Sequence, residues 1–93
     1  MAARDQGVYA ISVAAEMVSM EIQNLRVYER RGLLDPDRTP GGTRLYSRDD
    51  IQTLHRIREL LAEGLNIAGI ARVLALEAEV HRLRAECDRL RHR

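Results

Sequence analysis

Eleven residues, Asn24–Leu34 (NLRVYERRGLL), and the segment Gly41–Ser47 (GGTRLYS) that follows constrain this chain more than any other feature. The first reads as an arginine-rich helix. Gly32 stands where a helix of this kind stops, because glycine takes the left-handed conformation that closes a C-terminus. The second reads as a tight basic hairpin whose Gly41-Gly42 tip can supply positive φ angles. A helix, a stop and a hairpin in that order are the pieces of a winged helix-turn-helix.

The flanking sequence completes that outline. Val8–Ile11 reads as a short extended entry. Ser12 is placed as the N-cap of a first helix over Val13–Val18, with Ser19 and Met20 as the turn. A second helix is expected from about Glu21 to Arg31, with Ile22, Leu25 and Tyr28 on its apolar face. Two short helices joined by so short a turn make a helix-turn-helix. Asp35-Pro36-Asp37 is a turn, since proline forbids helix continuation. Arg38-Thr39 and Thr43–Tyr46 are the expected strands of the hairpin. Ser47 and Asp50 form a capping box that opens a third helix. Its apolar face is read as Ile51, Leu54, Ile57 and Leu61, and its end as Gly64. Asn66 caps a fourth helix with Ile67, Ile70, Val73 and Leu74 inward.

Near the C-terminus the pattern changes. Val73, Leu76, Val80, Leu83, Cys87 and Leu90 are spaced 3-4-3-4-3, an a/d heptad seam among strongly charged neighbours. A single helix this polar is marginal alone, and the simplest partner is a second copy of the chain. Parallel pairing would match Glu79 with Arg84 and Glu86 with Arg91. Antiparallel pairing would match Glu77 with Arg91. Periodicity does not choose between them.

Composition narrows the class. Ninety-three residues make one small domain with a thin core, and without Phe or Trp that core is expected to be aliphatic. The net charge of +1 does not by itself predict a nucleic-acid partner. All basic side chains are Arg, however, and Arg26, Arg30, Arg31, Arg38, Arg44 and Arg48 fall within one short segment. Arginine is a planar fork suited to phosphates and guanine edges, although a genome biased toward Arg codons would give the same count. One cysteine excludes an internal disulfide framework. No signal peptide or apolar run of membrane-spanning length is present, so a cytoplasmic protein is expected. No phosphate-binding glycine loop and no nucleophile–base pair is found, so an enzyme is not expected. Cys87 with His81 or His92 lacks metal-ligand spacing and no cofactor is expected; Cys87 reads as a seam residue. His55 reads as a surface or packing residue.

Four segments together carry a family resemblance: ISVAAEMV, NLRVYERRGLL, RTPGGTRLYS and LNIAGIARVL. They cover about Tyr9 to Leu76 and resemble the MerR family of transcription regulators. ISVAAEM, the LR-x-Y-[DE]-R run and the RT-x-GG-x-R-x-YS wing are most similar to the heat-shock repressor branch, HspR. Val27 departs from the family pattern, where a first aromatic is common, and Asn24 stands where Thr is common. The chain ends about where a ligand-sensing domain would begin in the family.

The resemblance implies a mainly α fold: a MerR-like winged helix-turn-helix with a short two-stranded wing and a C-terminal dimerisation coiled-coil helix. Residues 1–7 would be a flexible N-terminus, 8–75 the DNA-binding domain and 76–93 the dimerisation helix. It further implies an antiparallel homodimer on an inverted-repeat operator of double-stranded DNA. For the HspR branch it implies repression of chaperone genes, with the chaperone DnaK as co-repressor. Activation by untwisting the promoter is the alternative within the family. An excisionase-like architectural DNA binder or a coiled-coil protein-interaction module are the alternatives outside it.

On that docking geometry, Gln23 and Asn24 at the exposed start of the second helix would read bases, with Glu21 a weaker candidate. Arg26 and Tyr28 would bond phosphates, with Arg30 also in the contact set. Arg44, Tyr46 and Arg38 would do so from the wing. The competing readings are an Arg26–Glu29 ion pair, and core packing for Tyr28 and Tyr46. Val73, Leu76, Val80, Leu83, Cys87 and Leu90 would form the dimer seam.

Overall fold

Residues 3–92 are described by the structure, a computed structural model. The elements run α1 (Ile11–Val18), α2 (Ile22–Arg30), β1 (Asp37–Arg38), β2 (Arg44–Leu45), α3 (Arg48–Ala62) and α4 (Ile67–Arg91). The two strands pair antiparallel, Asp37 opposite Leu45 and Arg38 opposite Arg44.

Three of the four helices end in the same way. The N–H groups of Met20, Leu33 and Leu65 reach back to the carbonyls of Ala15, Tyr28 and Leu60 at 3.0, 2.9 and 3.1 Å. That 6→1 bond is the signature of a Schellman end, which needs a left-handed residue just before it. Gly32 (φ 80°) and Gly64 supply it without strain, but after α1 the position is held by Ser19 at φ 55°. Helix starts divide into two kinds. Ser47 Oγ accepts the Asp50 N–H at 3.0 Å while Asp50 Oδ2 accepts the Ser47 N–H at 2.9 Å, closing the expected capping box. Asn66 Oδ1 accepts the Gly69 N–H at 2.8 Å at the start of α4. By contrast α1 and α2 begin after Ala10 and Glu21 with no side-chain cap.

Ser12 is therefore not an N-cap. The extended entry is pinned by Tyr9, whose N–H and carbonyl exchange bonds with Tyr46 at 2.9 and 2.7 Å. The chain turns helical as soon as it leaves that bridge, which puts Ser12 inside α1. The strands are likewise shorter and shifted: Thr39 belongs to the tip, where its carbonyl accepts the Gly42 N–H at 2.8 Å. Gly42 takes the positive φ of that turn and Gly41 does not.

The core joins Ala14, Ala15 and Val18 of α1 to Leu25 and Tyr28 of α2, Ile51, Leu54, Ile57 and Leu60 of α3, and Ile70 of α4. Leu34 and Tyr46 close it from the wing side. On α3 the sequence pattern favours Leu61, yet Leu60 is buried and Leu61 exposed. The turn through Gly64 brings Leu65 back onto Leu60, so the last turn of α3 is covered on that side. Arg58 of α3 donates to the Val18 carbonyl at 2.8 Å, closing an otherwise orphaned acceptor at the end of α1.

α4 is unbroken from Ile67 to Arg91. Ile70, Ile67, Val73 and Leu74 pack on the core, whereas Leu76, Val80, Leu83 and Leu90 are exposed. The expected boundary between residues 75 and 76 thus falls inside one helix and marks a change of surroundings. Arg56 of α3 grips Glu77 of α4 with Nη2–Oε2 at 2.7 Å, and this bond holds the Glu77 carboxyl below its ordinary value. Glu77 is thereby engaged within its own chain.

The expectation of a flexible 1–7 segment covers Met1 and Ala2, which lie outside the described residues. Ala3–Gly7 makes specific contacts. Arg4 pairs with Asp49 at 3.2 Å and its carbonyl accepts the Asp49 N–H at 3.0 Å. The Gly7 N–H donates to Asp37 Oδ2 at 2.8 Å. A Cβ on Gly7 would lie 2.4 Å from the Leu45 carbonyl oxygen, so the segment lies against β2 only because residue 7 has no side chain. Gly7→Ala is expected to destabilise the protein by about 1–3 kcal/mol through this overpacking, read as a lower urea midpoint at constant slope. An unchanged midpoint would show that the segment leaves the wing in solution.

Candidate nucleic-acid interface

Residues three and seven apart lie on one face of a helix. On α2 this places Gln23, Arg26 and Arg30 in one stripe, and all three are exposed, as is Asn24 beside them. Leu25 and Tyr28 point the other way into the core. The arginines of this stripe form no ion pair, a state they share with Arg48, Arg58, Arg72, Arg84 and Arg91 among the described residues. Ion pairs take up Arg4, Arg38, Arg44, Arg56, Arg82 and Arg89. Arg26, Arg30 and Arg31 have no such partner among the described residues. The expected competitor for Arg26, a pair with Glu29, is not formed.

Glu29 instead turns toward the wing. Its Oε1 accepts Arg44 Nε and its Oε2 accepts Arg38 Nη2, so one carboxylate joins α2 to both strands. Arg38 also donates from Nη1 to the Gly42 carbonyl at 3.2 Å. The hydrogen bond to Glu29 raises the Arg44 guanidinium above its ordinary value. The α2 stripe and the wing are therefore joined into one surface. α2 starts after Glu21 with no side-chain cap, and the Glu21 carbonyl takes the Asn24 N–H at 3.0 Å, so the Ile22 and Gln23 N–H groups are the ones without a partner among the described residues.

Two expected contacts are found in the core. Tyr46 is fully buried and is the largest such side chain. Its hydroxyl has no hydrogen-bond partner among the described residues, and burial pushes its pKa up. The Tyr46 ring is wholly inside the core, on a strand end bridged by its backbone to Tyr9. Tyr28 is 4% exposed and its phenol is likewise raised by burial. The Tyr28 ring packs in the core, but its hydroxyl is not among the buried polar atoms without a partner, whereas that of Tyr46 is.

Residues 9–77 match the family described as MerR HTH family regulatory protein. The chain belongs to the MerR family. It is 46% identical over 87 residues to a heat shock protein, HspR, of Streptomyces coelicolor, an alignment covering 92% of this chain and 58% of that protein. It is 35% identical over 74 residues to the transcriptional regulator GlnR of Bacillus anthracis, covering 80% of this chain and 57% of GlnR. The chain thus spans less than two thirds of the length of these curated relatives. Among solved structures it superposes on a MerR-family transcriptional regulator from Bacillus cereus with a TM-score of 0.69 and 28% identity, covering 88% of this chain and 71% of that one. The winged helix-turn-helix reading, with its two-stranded wing and long C-terminal helix, is that of the MerR fold.

Within this MerR-family surface the sequence reading missed Glu29 and Arg58. The available signal for Glu29 was its position as the lone acid in the basic run Arg26–Arg31. Nothing local marks Arg58. The seam residues are on one side of α4. Val73 is half-buried against the core, and Leu76, Val80, Leu83, Cys87 and Leu90 are exposed. No group of three or more His, Cys, Asp or Glu that could hold a metal ion occurs among the described residues. No helix among them is long and apolar enough to cross a membrane.

Proposed function

We propose that this protein is a cytoplasmic, sequence-specific DNA-binding transcription regulator that acts as a homodimer on an inverted repeat and represses the genes it binds. The observation that carries this reading is the exposed stripe Gln23, Arg26 and Arg30, whose arginines are unpaired on a helix joined to a basic wing. Unpaired arginines along one helix face suit a regular array of phosphates better than a protein partner of unknown register. Gln23 and Asn24, at the open N-terminus, are the base readers. Arg26, Arg30 and Arg44 hold the backbone. Tyr28, Tyr46 and Arg38 keep that surface in shape. The exposed apolar face of α4 is the dimer seam, and two copies place two recognition helices in successive major grooves.

The relation to HspR favours control of stress genes, and a DnaK-like chaperone is the co-repressor to add in the binding assay. The primary test is selection of binding duplexes from a random library at near-physiological salt. Recovery of one inverted repeat is the expected result. Recovery of no duplex by protein shown to be folded, with and without the chaperone, sinks the DNA-binding reading.

Arg26→Ala separates phosphate from base contact. It is expected to weaken binding to every duplex alike and to lower the slope of log K against log salt by about one. A loss confined to one sequence would reassign Arg26 to base reading.

A further inference from the structure

Two arginines on paired strands ordinarily repel each other and, when exposed, sample many rotamers. Here Arg38 and Arg44 stand directly opposite on β1 and β2, and the same carboxylate separates them. Glu29 is itself held in place, because its side chain is only 15% exposed and its helix is anchored in the core by Leu25 and Tyr28. The two guanidinia use it differently. Arg44 gives Glu29 its inner nitrogen, Nε, and its terminal nitrogens make no hydrogen bond among the described residues. Arg38 gives up both ends of its fork, Nη2 to Glu29 and Nη1 to the Gly42 carbonyl at the wing tip.

We propose that Glu29 is the positioning residue of the wing: its carboxylate holds Arg44 by Nε and leaves the terminal nitrogens to a phosphate, and it converts Arg38 into a strut that fixes the wing tip against the recognition helix. This rests on the DNA-binding reading above and assigns unequal work within it to two arginines that sequence treats alike. An arginine already held by its Nε edge loses less freedom on meeting a phosphate than a free one. A carboxylate so near DNA is tolerable because two guanidinia enclose it and the trio carries a net positive charge. Helix and wing then dock as one body, since neither can shift without breaking a shared ion cluster.

The test is a double-mutant cycle on the duplex recovered by selection, using the full chain across a salt series. Temperatures are chosen at which circular dichroism shows each variant folded. Glu29→Gln keeps the shape of the side chain but can accept from only one arginine. It is expected to lower affinity about tenfold and to reduce the salt slope by about one, as Arg44→Ala does. In an Arg44→Ala background the same Glu29→Gln change is expected to cost clearly less than the roughly tenfold seen in the wild-type chain, because only the Arg38 strut is then left for Glu29 to act through. Additive losses would overturn the proposal, as would unchanged affinity for Glu29→Gln. A rise in affinity would also overturn it, since the carboxylate would then be competing with phosphate. Each of these leaves the DNA-binding reading intact, whereas a wild-type protein that binds no duplex removes both. Should Glu29→Gln not fold, the Arg44 Nε–H of the free wild-type protein decides by its exchange with water. Slow exchange supports the bond to Glu29, and exchange as fast as in an unstructured peptide overturns it.

Discussion

Leu83→Asp is expected to leave the protein monomeric and to abolish tight binding to an inverted repeat. α4 holds 25 residues and at about 1.5 Å each extends about 37 Å. Its first two turns are covered by the core. The remainder carries Leu76, Val80, Leu83 and Leu90 at 63%, 45%, 47% and 52% exposure, an apolar edge that nothing among the described residues covers. Leu83 lies in the middle of that edge, so in a two-fold dimer an aspartate there enters the seam from both copies. Burying an unpaired carboxylate costs several kcal/mol, more than one seam leucine contributes. The folded domain should survive, because its core residues lie elsewhere.

Light scattering should then report one copy, and helicity should fall as the unpartnered end of α4 frays. Affinity for the operator should drop by about a hundredfold or more, because a monomer engages one half-site and loses the effective concentration of the second. Binding to a single half-site should change little. A Leu83→Asp protein that stays dimeric would place the seam on another surface. One that is monomeric yet binds the full repeat as tightly would show that the half-sites are read independently.

The parts of this molecule that follow from neighbours in sequence were legible. The Ser47–Asp50 box, the Asn66 cap, the stop at Gly32 and the exposed start of α2 at Gln23 and Asn24 each depend on residues within one helical turn, where periodicity and side-chain reach decide the outcome. What was hidden depends on residues brought together by the fold. Glu29 meets its arginines 9 and 15 positions away, and Arg58 reaches a carbonyl 40 positions away. No local pattern distinguishes such an arginine from a solvated one. Gly7 was read as part of a mobile end because its role is to have no side chain beside β2, which is visible only once β2 is there.

Tyrosine left two readings open in the sequence, since an apolar ring with a polar tip suits both a core and a phosphate. The composition held the answer. In a chain without Phe or Trp, tyrosine is the one aromatic available for the largest interior position. Tyr46 fills it, fully buried beneath the wing, with its hydroxyl unpartnered among the described residues. Tyr46→Ala is accordingly expected to remove about 3–5 kcal/mol of stability, the usual cost of emptying an aromatic site in a core. In a small domain that is enough to unfold much of the population near physiological temperature. Tyr46→Phe should do the reverse. It keeps the ring and discards a hydroxyl that has given up its hydration without a hydrogen bond in return, so it should be neutral or stabilising by about 1 kcal/mol. Operator affinity and salt slope should not move in the phenylalanine variant. If Tyr46→Phe weakens binding while raising or preserving the melting temperature, the hydroxyl reaches DNA after all, and the wing must open on binding to let it out.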